Sequence, residues 1–247
     1  DGEGMSREDA ALAFARHATS KISNIDDLVG IASFGFRGEA LASIAAAAEV
    51  ELLTRRGEDD TGTRVKAQGG EVVDVADAGS APGTRVEVRR LFGALPARRK
   101  FLKRPATEFG HAAEVINRMA LSVPRVGFTL THDEREVLSL PPVVSPADRL
   151  LQVVGRECAA SAIRFEGRTP EISVQGYLGR PEHSLSSARL VLTYVGGRFV
   201  RDRVLTRVVL AGYDTVLMRG RYPVAVVFID LAPGEVDVNV HPAKAEV

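Results

Sequence analysis

The chain has 247 residues, 45% of them hydrophobic and 26% charged, and its 32 Lys and Arg residues are balanced by 32 Asp and Glu residues. This composition excludes a disordered or low-complexity chain, and zero formal net charge means that any polyanion-binding surface is local. A single cysteine, Cys158, excludes a disulfide framework and a multi-cysteine zinc site, and it fits a reducing compartment. At about 150 residues per domain, the length predicts one large or two ordinary domains.

The first half of the chain predicts helices around a run of short strands. Ser6 followed by Asp9 forms a capping box, which predicts a helix through Ala10–His17. A polar, glycine-punctuated stretch follows and leads into a second helix over about 39–48. Strand-like runs separated by Gly and Asp clusters predict strands over 50–54, 63–67, 72–75 and 84–88. A helix over about 107–122 and strands over 127–132 and 135–139 are predicted next.

The segment from Pro141 to Pro146 is the best linker candidate. It holds three prolines in six residues, and proline removes a backbone donor and disfavours both helix and strand. We therefore expect domains at 1–140 and 141–247. The second is predicted to contain a helix from about 147, strands over 172–176 and 189–195, a helix over 202–212, and strands over 224–231 and 236–241. Strands mixed with helices in this way indicate the α+β class.

A glycine turn, Gly35-Phe36-Arg37-Gly38, runs directly into the second predicted helix. The unpaired amides at such a helix start and the helix dipole favour an anion, above all phosphate, and Arg37 would add a cationic fork. Hydroxyls beside a lysine at Thr19, Ser20 and Lys21 are a second candidate phosphate contact. An ordinary glycine turn and a helix end neutralised by Lys21 are the alternatives. The turn is not a Walker A loop, because Phe36-Arg37 stands where Lys-Ser/Thr is required.

Two basic segments, 85–104 and 198–221, break the overall neutrality. Such runs are usually solvated faces, but two of them in a neutral chain favour contact with a polyanion. Near the end, residues 236–240 alternate as a strand and Pro242 fixes a turn, so Lys244 projects from a strand end, where cations often face ligands. A surface lysine is the alternative. No His or Cys spacing indicates a metal site.

Taken in order, these segments closely resemble the N-terminal ATPase region of the MutL family of DNA mismatch-repair proteins. The resemblance covers essentially the whole chain. It implies a GHKL (Bergerat-type) α/β sandwich, the fold that gyrase, Hsp90-type chaperones and histidine kinases share with MutL, followed by a domain like domain 2 of ribosomal protein S5. The matching segments are 17–22, Gly35–Leu41, Gly83–Val86 with 91–102, Tyr194–Arg203 and Val236–Lys244.

The resemblance also implies roles for individual residues. In the family, two glycines and a threonine lie beside the adenine, a lid closes over ATP, a glycine turn holds the phosphates, and a lysine of the second domain reaches the γ-phosphate. The matching residues are Gly2, Gly4 and Thr84 for the adenine; Thr19, Ser20 and Lys21 for a lid at about 19–38; Gly35, Arg37 and Gly38 for the turn; and Lys244 for the lysine. Arg203, with Arg201 and Arg198, matches the family's DNA-contacting segment.

The departures from the family concern the first motif. Asp1 fills the motif's Asn position, so the adenine-specific Asp, the general-base Glu and the magnesium-binding Asn of the family fall before residue 1. The resemblance therefore implies an ATPase using ATP and Mg²⁺ in the full-length protein, with residues 1–247 inactive alone and no metal ligand among them. It further implies DNA, a MutS-type mismatch recognition protein and a second copy of the protein as partners, and a cytoplasmic, nucleoid-associated location if the source is bacterial.

Two other classes of protein compete with this interpretation. A topoisomerase II-type ATPase subunit or an Hsp90-type chaperone shares the nucleotide fold, but the Gly35–Leu41 turn and the Val236–Lys244 ending argue against both. A non-hydrolysing DNA-binding adaptor would use the arginine segments without ATP turnover. For Arg203, the alternative to DNA contact is an ion pair with Asp202 or Glu235 on a solvated face.

Overall fold

A computed structural model describes residues 2–16 and 38–231, and its contacts divide the chain into two compact units, Asp1–Lys103 and Arg104–Val247. Each unit has its own sheet and its own buried apolar cluster. The mixture of helices with mainly antiparallel strands confirms the predicted α+β class.

The first unit is a four-stranded antiparallel sheet with two helices packed on it. The strands lie in the order β3-β2-β1-β4. Alternation along β1 turns Val50, Leu52 and Thr54 inward, and the first two pack with α1 and α2 residues. The elements are α1 (Arg7–Leu12), α2 (Ala40–Ala47), β1 (Glu49–Arg55), β2 (Gly62–Gln68), β3 (Glu71–Ala78), β4 (Gly83–Arg89) and α3 (Pro96–Arg99).

Helix α1 begins as the capping box predicts and ends earlier than expected. The Ser6 side chain accepts a 3.1 Å hydrogen bond from the Asp9 backbone N–H. The helix ends at Leu12, beyond which the Ala15 N–H bonds to the Leu12 carbonyl in a tighter turn. The prediction that the helix continues towards His17 is therefore wrong over residues 13–16. His17 itself lies outside the described residues.

The second unit is built around a five-stranded sheet in the order β10-β9-β11-β8-β7. Strands β9 and β11 are parallel and the other neighbours are antiparallel. Strands β5 and β6 form a separate hairpin. The elements are α4 (Pro105–Ser122), β5 (Phe128–His132), β6 (Arg135–Leu140), α5 (Pro146–Val154), α6 (Arg156–Ser161), β7 (Ile163–Arg168), β8 (Ile172–Leu178), β9 (Val191–Val195), β10 (Arg198–Val200), α7 (Arg203–Ala211) and β11 (Ala225–Leu231).

Part-buried hydrogen bonds hold α4 and the loop that leads from it to β5 within this second unit. Arg149 of α5 is fully buried and donates to the carbonyls of Pro124 (2.7 Å) and Val126 (2.6 Å). The Tyr194 hydroxyl of β9 donates to the Arg118 carbonyl of α4 at 2.9 Å. The second unit therefore begins at Arg104, well before the irregular proline-rich segment at 141–146. The domain boundary expected after residue 140 stays a prediction.

Most of the predicted helices and strands are present in the structure. The sequence did not predict β7 and β10, which are exposed or short. Strand β10 has three residues and follows a two-residue turn in which Gly196 (φ 53°) and Gly197 (φ 75°) both adopt left-handed conformations. Strand β7 lies at the sheet edge with mostly exposed residues, so it lacks the alternation that identifies a half-buried strand. The strand predicted over 236–241 lies outside the described residues. Among the described helices, none has the length and apolar character to cross a membrane.

Candidate functional site

Three segments of the first unit meet where β1 ends and β4 begins. Antiparallel pairing places Thr54 opposite Thr84 and Arg55 opposite Gly83. The segment that precedes α1 joins them, because the Met5 backbone N–H donates to the Thr54 hydroxyl at 2.9 Å. The sheet register thus places Thr84 at this point, and the Met5 hydrogen bond brings the segment of Gly4 to it.

Thr54 is the centre of this cluster. Its side chain is fully buried, and its hydroxyl lies 3.0 Å from the Gly83 carbonyl oxygen and 2.8 Å from the Thr84 hydroxyl. Thr84 itself is exposed. The cluster therefore leads from a buried hydroxyl to one that an external ligand can reach.

Gly4 occupies a position where any side chain would be strained and would require the backbone to move. Its φ of +74° lies in the left-handed region, and a Cβ there would lie 2.9 Å from the Arg56 nitrogen and closer still to the Arg55 carbonyl. Gly2 also has a positive φ, +93°, but a Cβ on it would meet no atom within 4 Å among the described residues. Of these two glycines, Gly4 is therefore the one that lies against the backbone of another described segment.

Arg55 fixes the loops beside this approach. Its side chain donates to the Ser80 carbonyl at 2.6 Å and to the Asp59 carbonyl at 2.7 Å. Neighbouring Arg56 pairs with Asp59 through two 2.8 Å hydrogen bonds, and these hold the pKa of the Asp59 carboxyl below its usual value. The loops on this side of the cluster are therefore held together by side-chain hydrogen bonds.

The phosphate-side predictions fall mostly outside the described residues. Gly38 is described and has φ +62°, and α2 begins two residues later at Ala40. The N-cap residue of α2, Glu39, makes no side-chain capping hydrogen bond, so its side chain does not satisfy the first backbone amides of the helix. The remaining predicted residues, Thr19, Ser20, Lys21, Gly35, Arg37 and Lys244, and the lid apart from Gly38, lie outside the described residues.

Sequence reasoning missed Thr54, although a signal was present. Along β1 the inward positions are Val50, Leu52 and Thr54, so a hydroxyl stands where the alternation calls for an apolar side chain. A buried hydroxyl needs partners, and here they are Met5, Gly83 and Thr84. A metal site is a different matter: within 2–16 and 38–231 no group of three or more His, Cys, Asp or Glu residues is placed to hold an ion.

The first basic segment is partly neutralised. On β4, Arg85 and Arg89 both pair with Glu87, and Arg90 pairs with Glu49. The hydrogen bond from Arg89 and the charge of Arg85 lower the pKa of Glu87. Arg98, Arg99 and Lys100 are exposed and make no ion pair within the described part of the chain. Among the described residues, unpaired positive charge in this segment therefore lies at Arg98, Arg99 and Lys100.

The second basic segment presents three exposed arginines on or beside α7. Arg201, Arg203 and Arg207 have no hydrogen-bond or ion-pair partner among the described residues. Asp202 caps α7, accepting a 2.7 Å hydrogen bond from the Leu205 N–H, and within the described residues no ion pair joins it to Arg203. Glu235, the other partner considered, lies outside the described residues.

Arg203 and Arg207 share one face of α7, since residues four apart on a helix are neighbours. Arg198 differs from these arginines. Its side chain is buried and burial lowers its pKa, so its guanidinium does not lie on the surface with the others.

Residues 150–247 match the family model described as DNA mismatch repair protein, C-terminal domain. Over its full length the chain is 46% identical to the DNA mismatch repair protein MutL of Geobacter sulfurreducens and 42% identical to that of Syntrophus aciditrophicus. It spans 41% and 40% of the length of these two relatives.

Solved structures share the fold. The Aquifex aeolicus MutL ATPase domain complexed with ADP is 25% identical, with a TM-score of 0.64 over 85% of this chain and 76% of that one. An N-terminal domain of a DNA repair protein gives a TM-score of 0.78 at 22% identity over 98% of this chain and 76% of that one. The gyrase B-subunit of Myxococcus xanthus gives 0.57 at 14% identity over 99% and 72%, which shows a shared fold alone.

Proposed function

Since the chain belongs to the MutL family of DNA mismatch-repair proteins, we propose that it is the nucleotide-binding and adjoining region of a protein that acts in mismatch repair. In this proposal the first unit binds ATP and the second contacts DNA. We propose this activity for the full-length protein. The MutL relative from Geobacter sulfurreducens is more than twice as long as this chain.

The convergence of Gly4, Thr54 and Thr84 carries the nucleotide half of the proposal. Backbone can approach closely at Gly4, because no side chain stands there, and Thr84 offers an exposed hydroxyl beside it. A purine base presents donors and acceptors in one plane, which suits a small cradle with one hydroxyl at its edge. ATP, when bound, supplies the phosphoanhydride bond whose hydrolysis switches the protein.

The phosphate end of the site is proposed from the sequence. Gly35, Arg37 and Gly38 would hold the phosphates at the start of α2, with Thr19, Ser20 and Lys21 in the lid and Lys244 at the γ-phosphate. The family's general base and magnesium ligand precede residue 1 by register, so we propose Mg²⁺-dependent hydrolysis for the full-length protein and none for residues 1–247 alone.

Free arginines on α7 carry the DNA half of the proposal. Among the described residues Arg201, Arg203 and Arg207 have no partner, whereas Arg85, Arg89 and Arg90 are already paired. No recognition-helix or zinc-finger pattern supplies base readout, so we propose contacts to phosphates without sequence preference. The other proposed partners are a MutS-type mismatch recognition protein and, with ATP bound, a second copy. The proposed location is the cytoplasm, at the nucleoid if the source is bacterial.

Nucleotide binding is tested by titrating the full-length protein with ADP and with ATP plus Mg²⁺ in a calorimeter. We expect both nucleotides to bind and phosphate to be released slowly from ATP. Thr84→Val should weaken binding of both nucleotides and leave the unfolding midpoint nearly unchanged, because Thr84 is exposed. A wild-type protein that binds neither nucleotide would favour the non-hydrolysing adaptor.

DNA binding is tested by Arg203→Glu in the full-length protein. We expect weaker binding to every duplex by a similar factor, and a smaller dependence on salt, since each phosphate contact contributes roughly 0.9 to the log–log slope on duplex DNA. Arg89→Glu is the matched control, because it makes the same change of charge at an exposed arginine that is already paired with Glu87. If Arg203→Glu leaves affinity intact at low salt while Arg98→Glu abolishes it, the DNA surface lies in the first unit.

A further inference from the structure

Thr54 is a fully buried threonine near the C-terminal end of β1. It faces inward, at a position that the strand pattern assigns to an apolar residue. Val and Thr have nearly the same shape, so Thr54 contributes nothing to packing that valine would not. Burying its hydroxyl costs free energy unless the hydroxyl is hydrogen-bonded. The hydroxyl is surrounded by Met5, Gly83 and Thr84, so its role lies in what it does to those groups.

The direction of each hydrogen bond follows from counting donors and acceptors. A threonine hydroxyl has one proton and can accept two hydrogen bonds. The Met5 N–H can only donate, so it takes one acceptor position of Thr54. The Gly83 carbonyl can only accept, so it takes the Thr54 proton at 3.0 Å.

One acceptor position on Thr54 then remains for the Thr84 hydroxyl, 2.8 Å away. All contacts are satisfied together only if Thr84 donates its proton inward to Thr54. The exposed oxygen of Thr84 is left with lone pairs alone. It therefore meets an external ligand as an acceptor and not as a donor.

We propose that Thr54 is a positioning residue for the nucleotide base, turning the Thr84 hydroxyl so that its oxygen accepts from the ligand. This inference rests on the proposed nucleotide site. An acceptor-only oxygen favours a base edge that carries an amino group over one that carries a carbonyl, because two acceptors that face each other gain no hydrogen bond and repel. Thr54 thus contributes to base selectivity without touching the base.

The test compares two nucleotides on the full-length protein. Adenosine diphosphate carries an amino group at position 6 of the purine, and inosine diphosphate carries a carbonyl oxygen there. We expect the wild-type protein to bind ADP more tightly. Thr54→Val should narrow the ratio of the two dissociation constants by about tenfold, the size expected for one hydrogen bond to a ligand.

Three further variants separate positioning from packing. Thr54→Ser keeps the hydroxyl and should keep the wild-type ratio. Thr84→Val should narrow the ratio as Thr54→Val does, and the double variant should narrow it no further, since both remove the same interaction. If Thr54→Val does not fold, Thr54→Cys replaces it with the same expectation, because a thiol accepts only weakly.

The outcomes distinguish this inference from the proposed function. If Thr54→Val weakens ADP and inosine diphosphate by the same factor, Thr54 is a packing residue and the inference is wrong. A wild-type protein that binds the two equally also overturns it. A wild-type protein that binds neither overturns the proposed nucleotide site itself.

Discussion

Replacing Gly4 by alanine tests the close approach on which the candidate site depends. The φ of +74° costs a non-glycine residue about 1–2 kcal/mol. The new Cβ would also overlap the Arg55 carbonyl, so the segment must move away from β1. That movement takes the Met5 N–H from the Thr54 hydroxyl, and a buried group left unpaired costs about 1–3 kcal/mol. We expect Gly4→Ala to lower the free energy of unfolding by about 2–5 kcal/mol, the sum of these effects.

Gly2→Ala is the matched control. It has a similarly positive φ of +93° but no described atom within 4 Å of its Cβ, so it should show the backbone cost alone. Urea unfolding of the full-length protein with each variant measures the difference, and titration with ADP shows whether nucleotide affinity falls with it. Equal destabilisation by the two substitutions would refute the argument, since the contact with Arg55 would then contribute nothing.

Two further predictions concern buried groups of the second unit. Arg149→Met removes the donor to the Pro124 and Val126 carbonyls and should lower the free energy of unfolding by about 1–3 kcal/mol. Urea unfolding measures this loss, and an unchanged free energy of unfolding would contradict the role of Arg149. Burial raises the pKa of Tyr213 to about 12 from 10.0, and its hydroxyl donates to the Gly179 carbonyl at 2.8 Å. Because the folded pKa is the higher one, this stabilisation is complete below pH 10.0 and is lost as pH rises through about 12. Tyr213→Phe should therefore lose less stability over that interval, and an identical pH profile would contradict the assignment.

The sequence predicted the regular elements where local chemistry decides them. Ser6 caps α1 because a side-chain acceptor at a helix start satisfies a free amide, and β1 follows from the alternation of Val50 and Leu52. The pairing of Arg85 and Arg89 with Glu87 could also have been predicted, because residues two apart on a strand share a face.

Features that depend on the partner of a side chain were not predictable from one strand or helix at a time. Arg149 reads as a solvated charge, yet it is buried because two carbonyls of a distant loop need donors. Gly4 and Thr84 were identified through resemblance; the β1–β4 register places Thr84 opposite Thr54, and the Met5–Thr54 hydrogen bond brings the segment of Gly4 to the same place. Residues 80 positions apart carry no local signal of their contact.

Hydrogen–deuterium exchange of the full-length protein, with and without ADP, tests the nucleotide site most directly. We expect ADP to slow exchange of backbone amides over residues 2–6 and 83–86, where Gly4 and Thr84 lie beside Thr54. Binding of ADP with exchange unchanged over both segments would contradict it and place the nucleotide elsewhere in the protein.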